Sequence, residues 1–327
     1  MSATETGGQA SQGAVAPLPA PGAPGAGAEA PKSHTKRTLL ILAGIWIAGI
    51  VVLFLIFGSG GRNNAYQPQN EFKLDTWINL GILSINKAVL YLFLAAIATC
   101  VTMIYVARRM QARPNKVQTA VEVLYQLMRD NITGANLDEK MAKRWFPFIG
   151  TLFLFIMFSN LVGYIPLPTN TEHKIDIFGL HIPSFSLYAA TANLSIPLVL
   201  ALMVFISYTV EGVRAKGPIG YLKGLVPGGV TGGMAVFIFG LELLSNVMRL
   251  MSLSIRLFAN ILAGHLIILF MAGALAVILG ISALAWFTIP FGIALFAFEV
   301  GLVAALQAFI FATLTAIYLG GAVAEDH

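Results

Sequence analysis

Between Glu242 and His265 the chain reads ELLSNVMRLMSLSIRLFANILAGH. Within that run Glu242, Ser245, Arg249, Ser252, Arg256 and Asn260 are separated by steps of 3, 4, 3, 4 and 4, so all six share one stripe of an α-helix. The positions between them are mostly Leu, Ile, Met, Phe, Val and Ala. Charges at membrane depth are costly and normally face a protein partner or a water-filled path. The plainer alternative is a stripe that only locks this helix to a neighbour. Arg256 is permanently cationic, so it cannot carry a proton, but it can attract a carboxylate. His265 stands nine residues further on, nominally on the opposite face and ~13 Å away along the axis. The two are therefore expected to serve different surfaces. A histidine here is either a group that passes protons near neutral pH or a satisfied packing residue. Glu299 and Gln307 lie on a later helix, offset by ~80° nominally, and could join His265 across a hairpin. Arg249 also has a structural reading, as an ion-pair partner of Glu242 or Glu299.

Composition limits the chemistry further. Of 327 residues, 57% are hydrophobic and 11% charged, less than half the charge of a typical soluble domain. The fold class expected is an all-α polytopic membrane protein of about six membrane helices. The last two are expected to be long and oblique, with an interfacial amphipathic helix besides. The net charge of +5 does not point to nucleic acid, because much of the excess sits in short loops where it sets topology. The single Cys100 excludes an intrachain disulfide. There is no Cys/His cluster with metal spacing, no phosphate-cradling loop and no Ser/His/Asp set. The glycine-rich GGVTGG at 228–233 has no following Lys and reads as a flexible approach to the next helix. No catalytic residue, metal or cofactor is assigned, and the chain is not expected to be an enzyme on its own.

The elements follow from hydrophobic pattern and punctuation. Residues 1–37 are rich in Ala, Gly and Pro and are expected to be disordered. Residues 38–58 form a first spanning candidate, read as an N-terminal anchor in preference to a signal sequence. A second span runs from Lys87 to Ala107. Pro114–Ile132 has apolar positions at Val117, Val121, Leu124, Met128 and Ile132, the pattern of an amphipathic helix lying in the membrane interface. The third span covers Phe146–Ile165 and contains Asn160. The fourth covers Leu187–Tyr208, where Thr191, Asn193 and Ser195 either bond across helices or line a wet path. Met234–Gly273 would be ~60 Å long as one helix, so it must be tilted or broken near Gly264. A final span runs from Phe291 to Leu319. Basic clusters precede the first span, follow the second, precede the third and follow the fourth. This places the N-terminus, and with the closing hairpin the C-terminus, in the cytoplasm.

At this point a resemblance becomes specific. SLSIRLFANILAGHLI and LQAFIFATLTAIYL resemble two motifs of the a subunit of F-type ATP synthases, and PNKVQTAVE and FSNLVGYIP resemble earlier landmarks of that family. The likeness covers residues 75–327, a membrane domain of that type, and leaves the 38–58 segment outside. It implies a proton-translocating stator subunit, with two offset half-channels against a ring of c subunits. The b subunits of a peripheral stalk and the lipid bilayer would be further partners, and a bacterial plasma (inner) membrane the location. Arg256 corresponds to the family's essential arginine. Glu242 and Ser245 match positions of the cytoplasmic half-channel, and Asn260, His265 and Gln307 match positions near the outer one. Arg249, Ser252, Asn160 and Asn193 become secondary lining positions. His265 and Glu299 stand as an exchanged acid–histidine pair. However, Glu299 precedes Gln307 by eight residues, where the family pattern leads one to expect about seven, or two helical turns. Two other classes fit the composition: a secondary transporter, which would usually show internal repeats that are not evident here, and a non-conducting scaffold.

Overall fold

The computed structural model describes residues 34–57, 76–79, 84–109, 115–177, 180–226, 229–275, 278 and 284–324. The expected tail 1–37 lies almost wholly outside them. The chain divides into two units, 1–49 and 50–327. Helix α1 (His34–Phe57) carries no charge after Arg37, and its leucines and isoleucines from Leu39 to Ile45 are exposed, as on a helix apolar all round.

Five helices among the described residues are long and apolar enough to cross a membrane: Lys87–Arg109, Glu139–Val162, Ser195–Lys216, Gly233–Leu269 and Thr288–Val323. The chain is an all-α membrane protein, as its composition demands. Helix α2 (Lys87–Arg109) shows how one helix serves two environments. Ala88, Tyr91, Ala95 and Thr99 are buried at steps of three and four, while Phe93, Ile97, Val101 and Ile104 point outward.

Helix α3 (Lys116–Gln126) starts where the Asn115 side chain accepts the Gln118 N–H at 2.8 Å. It continues as a π-helical stretch, Leu127–Gly134. The amphipathic pattern over Pro114–Ile132 is thus used unevenly. Val117 stays exposed, but Met128 and Ile132 are built into the main core beside Ile149 and Phe153 of α4 (Glu139–Val162). This second half packs on the bundle.

The connection after α4 is not an open loop. Strand β3 (Leu167–Ile177) pairs antiparallel with β4 (Leu180–Ser186), and a smaller hairpin, β1 (Thr76–Asn79) with β2 (Ser84–Asn86), precedes α2. The fourth span also starts later than Leu187. Helix α5 is Ser195–Lys216, a start that suits Pro197, which has no N–H to give and is best placed in a first turn. Before it, Tyr188, Ala189, Ala190, Thr191 and Ala192 form a buried plug with a single 3-10 turn. Helix α5 stops at Gly217, whose φ of +74° favours glycine.

After the short α6 (Pro218–Gly224), helix α7 (Gly233–Leu269) runs 37 residues, ~56 Å, unbroken through Gly264. The interruption comes later, as a π-helical stretch Phe270–Ala274. Helix α8 (Ala285–Phe298) joins α9 (Ala304–Val323) through another π-helical stretch, Glu299–Val303. On α9 the residues Ala304, Ala308, Ala312 and Ala316 repeat every four positions, and all are fully buried. Small side chains at that spacing let helices approach closely without lipid between them. Helix α9 accordingly sits at the centre, against both α4 and α5.

Candidate functional site

Helix α7 presents two faces with different occupants. Leu253, Ser254, Leu257, Ile261, Gly264, His265 and Ile268 are buried against the bundle. The polar stripe lies on the other side. Arg249, Ser252, Arg256 and Asn260 are exposed, and Glu242 and Ser245 are half-buried. Met248, Met251 and Ile255, on the same stretch of α7, are exposed as well. Among the described residues Arg256 has no ion-pair partner.

The upper end of the stripe is different. Arg249 reaches Glu242 at 3.6 Å and lies over the Tyr318 ring at 5.8 Å. The two charges border a cavity of about 430 Å³, together with Tyr208, Lys216, Asn246 and Tyr318. The Tyr208 hydroxyl donates to Asn246 Oδ1 at 3.3 Å, and Asn246 Nδ2 donates to the Glu242 carbonyl at 3.1 Å. This half-polar cavity opens between α5, α6, α7 and the end of α9. Of the two partners the sequence offered Arg249, the structure takes Glu242.

The inner face carries a second group. His265 is only 3% exposed. Its Nδ1 lies 3.0 Å from the Ile261 carbonyl and its Nε2 lies 3.3 Å from the Gly163 carbonyl. A neutral imidazole can donate to only one of these oxygens, whereas a protonated ring donates to both. Tyr164 stacks on the imidazole, centroids 4.6 Å apart, and donates its hydroxyl to Glu299 Oε2 at 3.0 Å. Glu299 rests against Gly264, a position where α7 has no side chain. A Cβ added to Gly264 would lie 2.5 Å from the Glu299 carboxyl carbon. The end of α4, the last turns of α7 and the α8–α9 junction therefore meet at His265, Tyr164 and Glu299.

A third set braces that junction. Thr191 donates to Asn160 Oδ1 at 2.8 Å, and Asn160 Nδ2 donates to the Ala304 carbonyl at 3.3 Å. Asn160 and Thr191 are completely buried. Asn193 is placed elsewhere: its side chain accepts the Ser195 N–H at 3.0 Å and so caps α5. Gln307 is buried on α9.

The eight-residue interval between Glu299 and Gln307 has a physical explanation. The stretch Glu299–Val303 is π-helical and takes up one extra residue. Eight α-helical steps would offset the two side chains by ~80°, whereas seven steps plus the bulge leave ~20°. The apparent slip in register is absorbed before α9 begins. Sequence reasoning passed over Tyr164, because an aromatic residue at the end of a span is ordinary. It passed over Gly264 as a partner of Glu299 for want of any local signal.

Comparison with known proteins places this arrangement in a family. Residues 89–320 match the family described as ATP synthase A chain. The chain is 35% identical over 239 residues to ATP synthase subunit a of Rubrobacter xylanophilus, covering 72% of this chain and 83% of that protein. It is 34% identical over 248 residues to ATP synthase subunit a of Myxococcus xanthus, covering 75% of each. Against ATP synthase subunit a of Bradyrhizobium diazoefficiens it is 31% identical over 270 residues, 80% of this chain and 98% of the relative. With the matched region running from α2 through almost all of α9, the chain belongs to the ATP synthase A chain family.

Proposed function

We propose that this chain is the proton-translocating stator subunit of an F-type ATP synthase, working against a ring of c subunits through two offset half-channels. The observation that carries the reading is Arg256. A guanidinium on an exposed apolar face, with no acid of its own chain beside it among the described residues, suits a carboxylate brought by a partner.

The mechanism follows from charge. A ring carboxylate facing lipid is costly when ionised, so it crosses that arc protonated. Opposite Arg256 the cation favours the ionised form, and the proton leaves into one half-channel. The site is refilled from the other. Arg256 also repels a hydronium on the direct path between the channels, so proton flow requires rotation. The cavity beside Glu242, Arg249 and Asn246 supports a half-channel on one side of the arginine. The His265–Tyr164–Glu299 group, with Gln307 and Asn260, is assigned to the other. Serine 245 and Ser252 extend the first path along the stripe, and Asn160 holds the second in shape through Ala304.

The chain is assigned to a bacterial plasma membrane with both termini in the cytoplasm. The 38–58 segment is assigned as an additional anchor, and b subunits of a peripheral stalk as further partners. The test is ATP-driven proton pumping in inverted membrane vesicles. Arg256→Ala is expected to reduce pumping to background while the complex remains assembled. Full pumping by that variant would overturn the assignment.

A further inference from the structure

We propose that Tyr164 is a positioning residue for proton exchange at Glu299, and that its hydroxyl, not its ring alone, is what the site requires. The inference rests on the proton-path reading of the His265 group. A glutamate has three rotatable side-chain bonds and, at the lip of a helix, several places to put its carboxylate. Here two constraints reduce them to one. The bare backbone at Gly264 leaves a recess that the carboxyl group fills. The Tyr164 hydroxyl then holds Oε2 from the opposite side at 3.0 Å.

The tyrosine is itself fixed. It is 5% exposed, its ring lies on His265 at 4.6 Å, and Phe296 meets it edge-on at 5.6 Å. A clamped ring gives the hydroxyl a defined address. The titratable groups that face Glu299 from the packed elements are Tyr164 from the end of α4 and, across the stacked ring, His265 from α7. Tyr164 therefore touches both groups of the pair. The ring sets the plane of the imidazole, and the hydroxyl sets the position of the acid. The two groups of the pair are thus held in place from one and the same ring. The same hydroxyl can stay bonded to the carboxyl group in either protonation state, since it can donate to the ionised form and accept from the neutral one.

The experiment compares Tyr164→Phe, Glu299→Gln and the double variant as full complexes in inverted vesicles. The readouts are ATP-driven pumping and the amount of chain recovered in the complex. Tyr164→Phe keeps both ring contacts and is expected to assemble normally yet pump roughly tenfold more slowly, the scale of a lost hydrogen bond to a charged group. Glu299→Gln is expected to pump poorly, and adding Tyr164→Phe to it should cost nothing more. Wild-type pumping by Tyr164→Phe would show that only the ring matters and overturn the inference. So would a loss in the double variant equal to the product of the single losses. Should Tyr164→Phe fail to assemble, Glu299→Asp decides. It withdraws the carboxylate from the hydroxyl while leaving both rings, and undiminished pumping there overturns the proposal. Normal pumping by Glu299→Gln would instead remove the proton-path reading itself.

Discussion

Arg256 and His265 lie nine residues apart on one helix and face opposite ways, one exposed and one buried. Helical periodicity made that separation legible before any coordinates, because 100° per residue is a property of the backbone and not of its surroundings. What the sequence could not supply was the identity of neighbours from other helices. The partner of Glu299 is a glycine and a tyrosine, and neither has a signal of its own. Two substitutions separate function from packing at this scale. Gly264→Ala places a methyl group on the Glu299 carboxyl group, whose side chain can swing away. The expected result is a complex of normal yield whose pumping falls at least tenfold, measured in the same vesicles. Gly163→Ala places its methyl 2.4 Å from the Ala189 Cβ and 2.6 Å from its Cα, where backbone must move. Overpacking of that kind costs about 1–3 kcal/mol. The expected result is a lower yield of assembled complex and a lower melting temperature, measured by thermal denaturation of the purified complex.

At the scale of elements, the spans were legible from apolar runs, and their ends were less so. Helix α5 begins at Ser195, where Pro197 and the Asn193 side chain agree on a start, while the buried residues from Tyr188 to Ala192 before it form no more than a single 3-10 turn. An apolar run reports burial and not conformation. The π-helical stretch Glu299–Val303 is a sharper case. In sequence it is only an interval one residue too long; in the fold it is the device that keeps Glu299 and Gln307 nearly aligned. Deleting Gly301, which is exposed and meets nothing within 4 Å of its Cα substituent position, should convert the bulge to regular helix. Pumping is expected to remain within a few-fold of wild type. Deleting Ile310 removes one residue from regular helix and turns Ala312 and Ala316 ~100° from the core. That chain is expected to be lost from the complex, as immunoblotting of purified complex would show.

For the whole molecule, hydropathy and loop charge set the expected number and sense of crossings without reference to packing, since both depend on the bilayer. The hairpin β3–β4 was invisible at that level, as its residues only had to be polar enough to leave the membrane. Topology can be tested directly. In a Cys100→Ser chain, Lys223→Cys should react with a membrane-impermeant thiol reagent only in inverted vesicles. Glu172→Cys, on β3, should react only in right-side-out ones. The opposite pattern would reverse the orientation and exchange the sides of the two proposed half-channels.

The bare face of α7 also bears on how long a newly made chain survives. On the function proposed above, until a partner docks Arg256 would hold an uncompensated cation on the apolar outer face of α7, at a cost of about 3 kcal/mol. Docking removes that cost by supplying a counter-charge. The strip therefore distinguishes an unfinished assembly from a finished one by its energy alone. Surplus copies of the chain, made without their partners, would be the copies that offer membrane quality control a charged, uncovered helix face to recognise, and their turnover would keep this subunit in step with the rest of the machine.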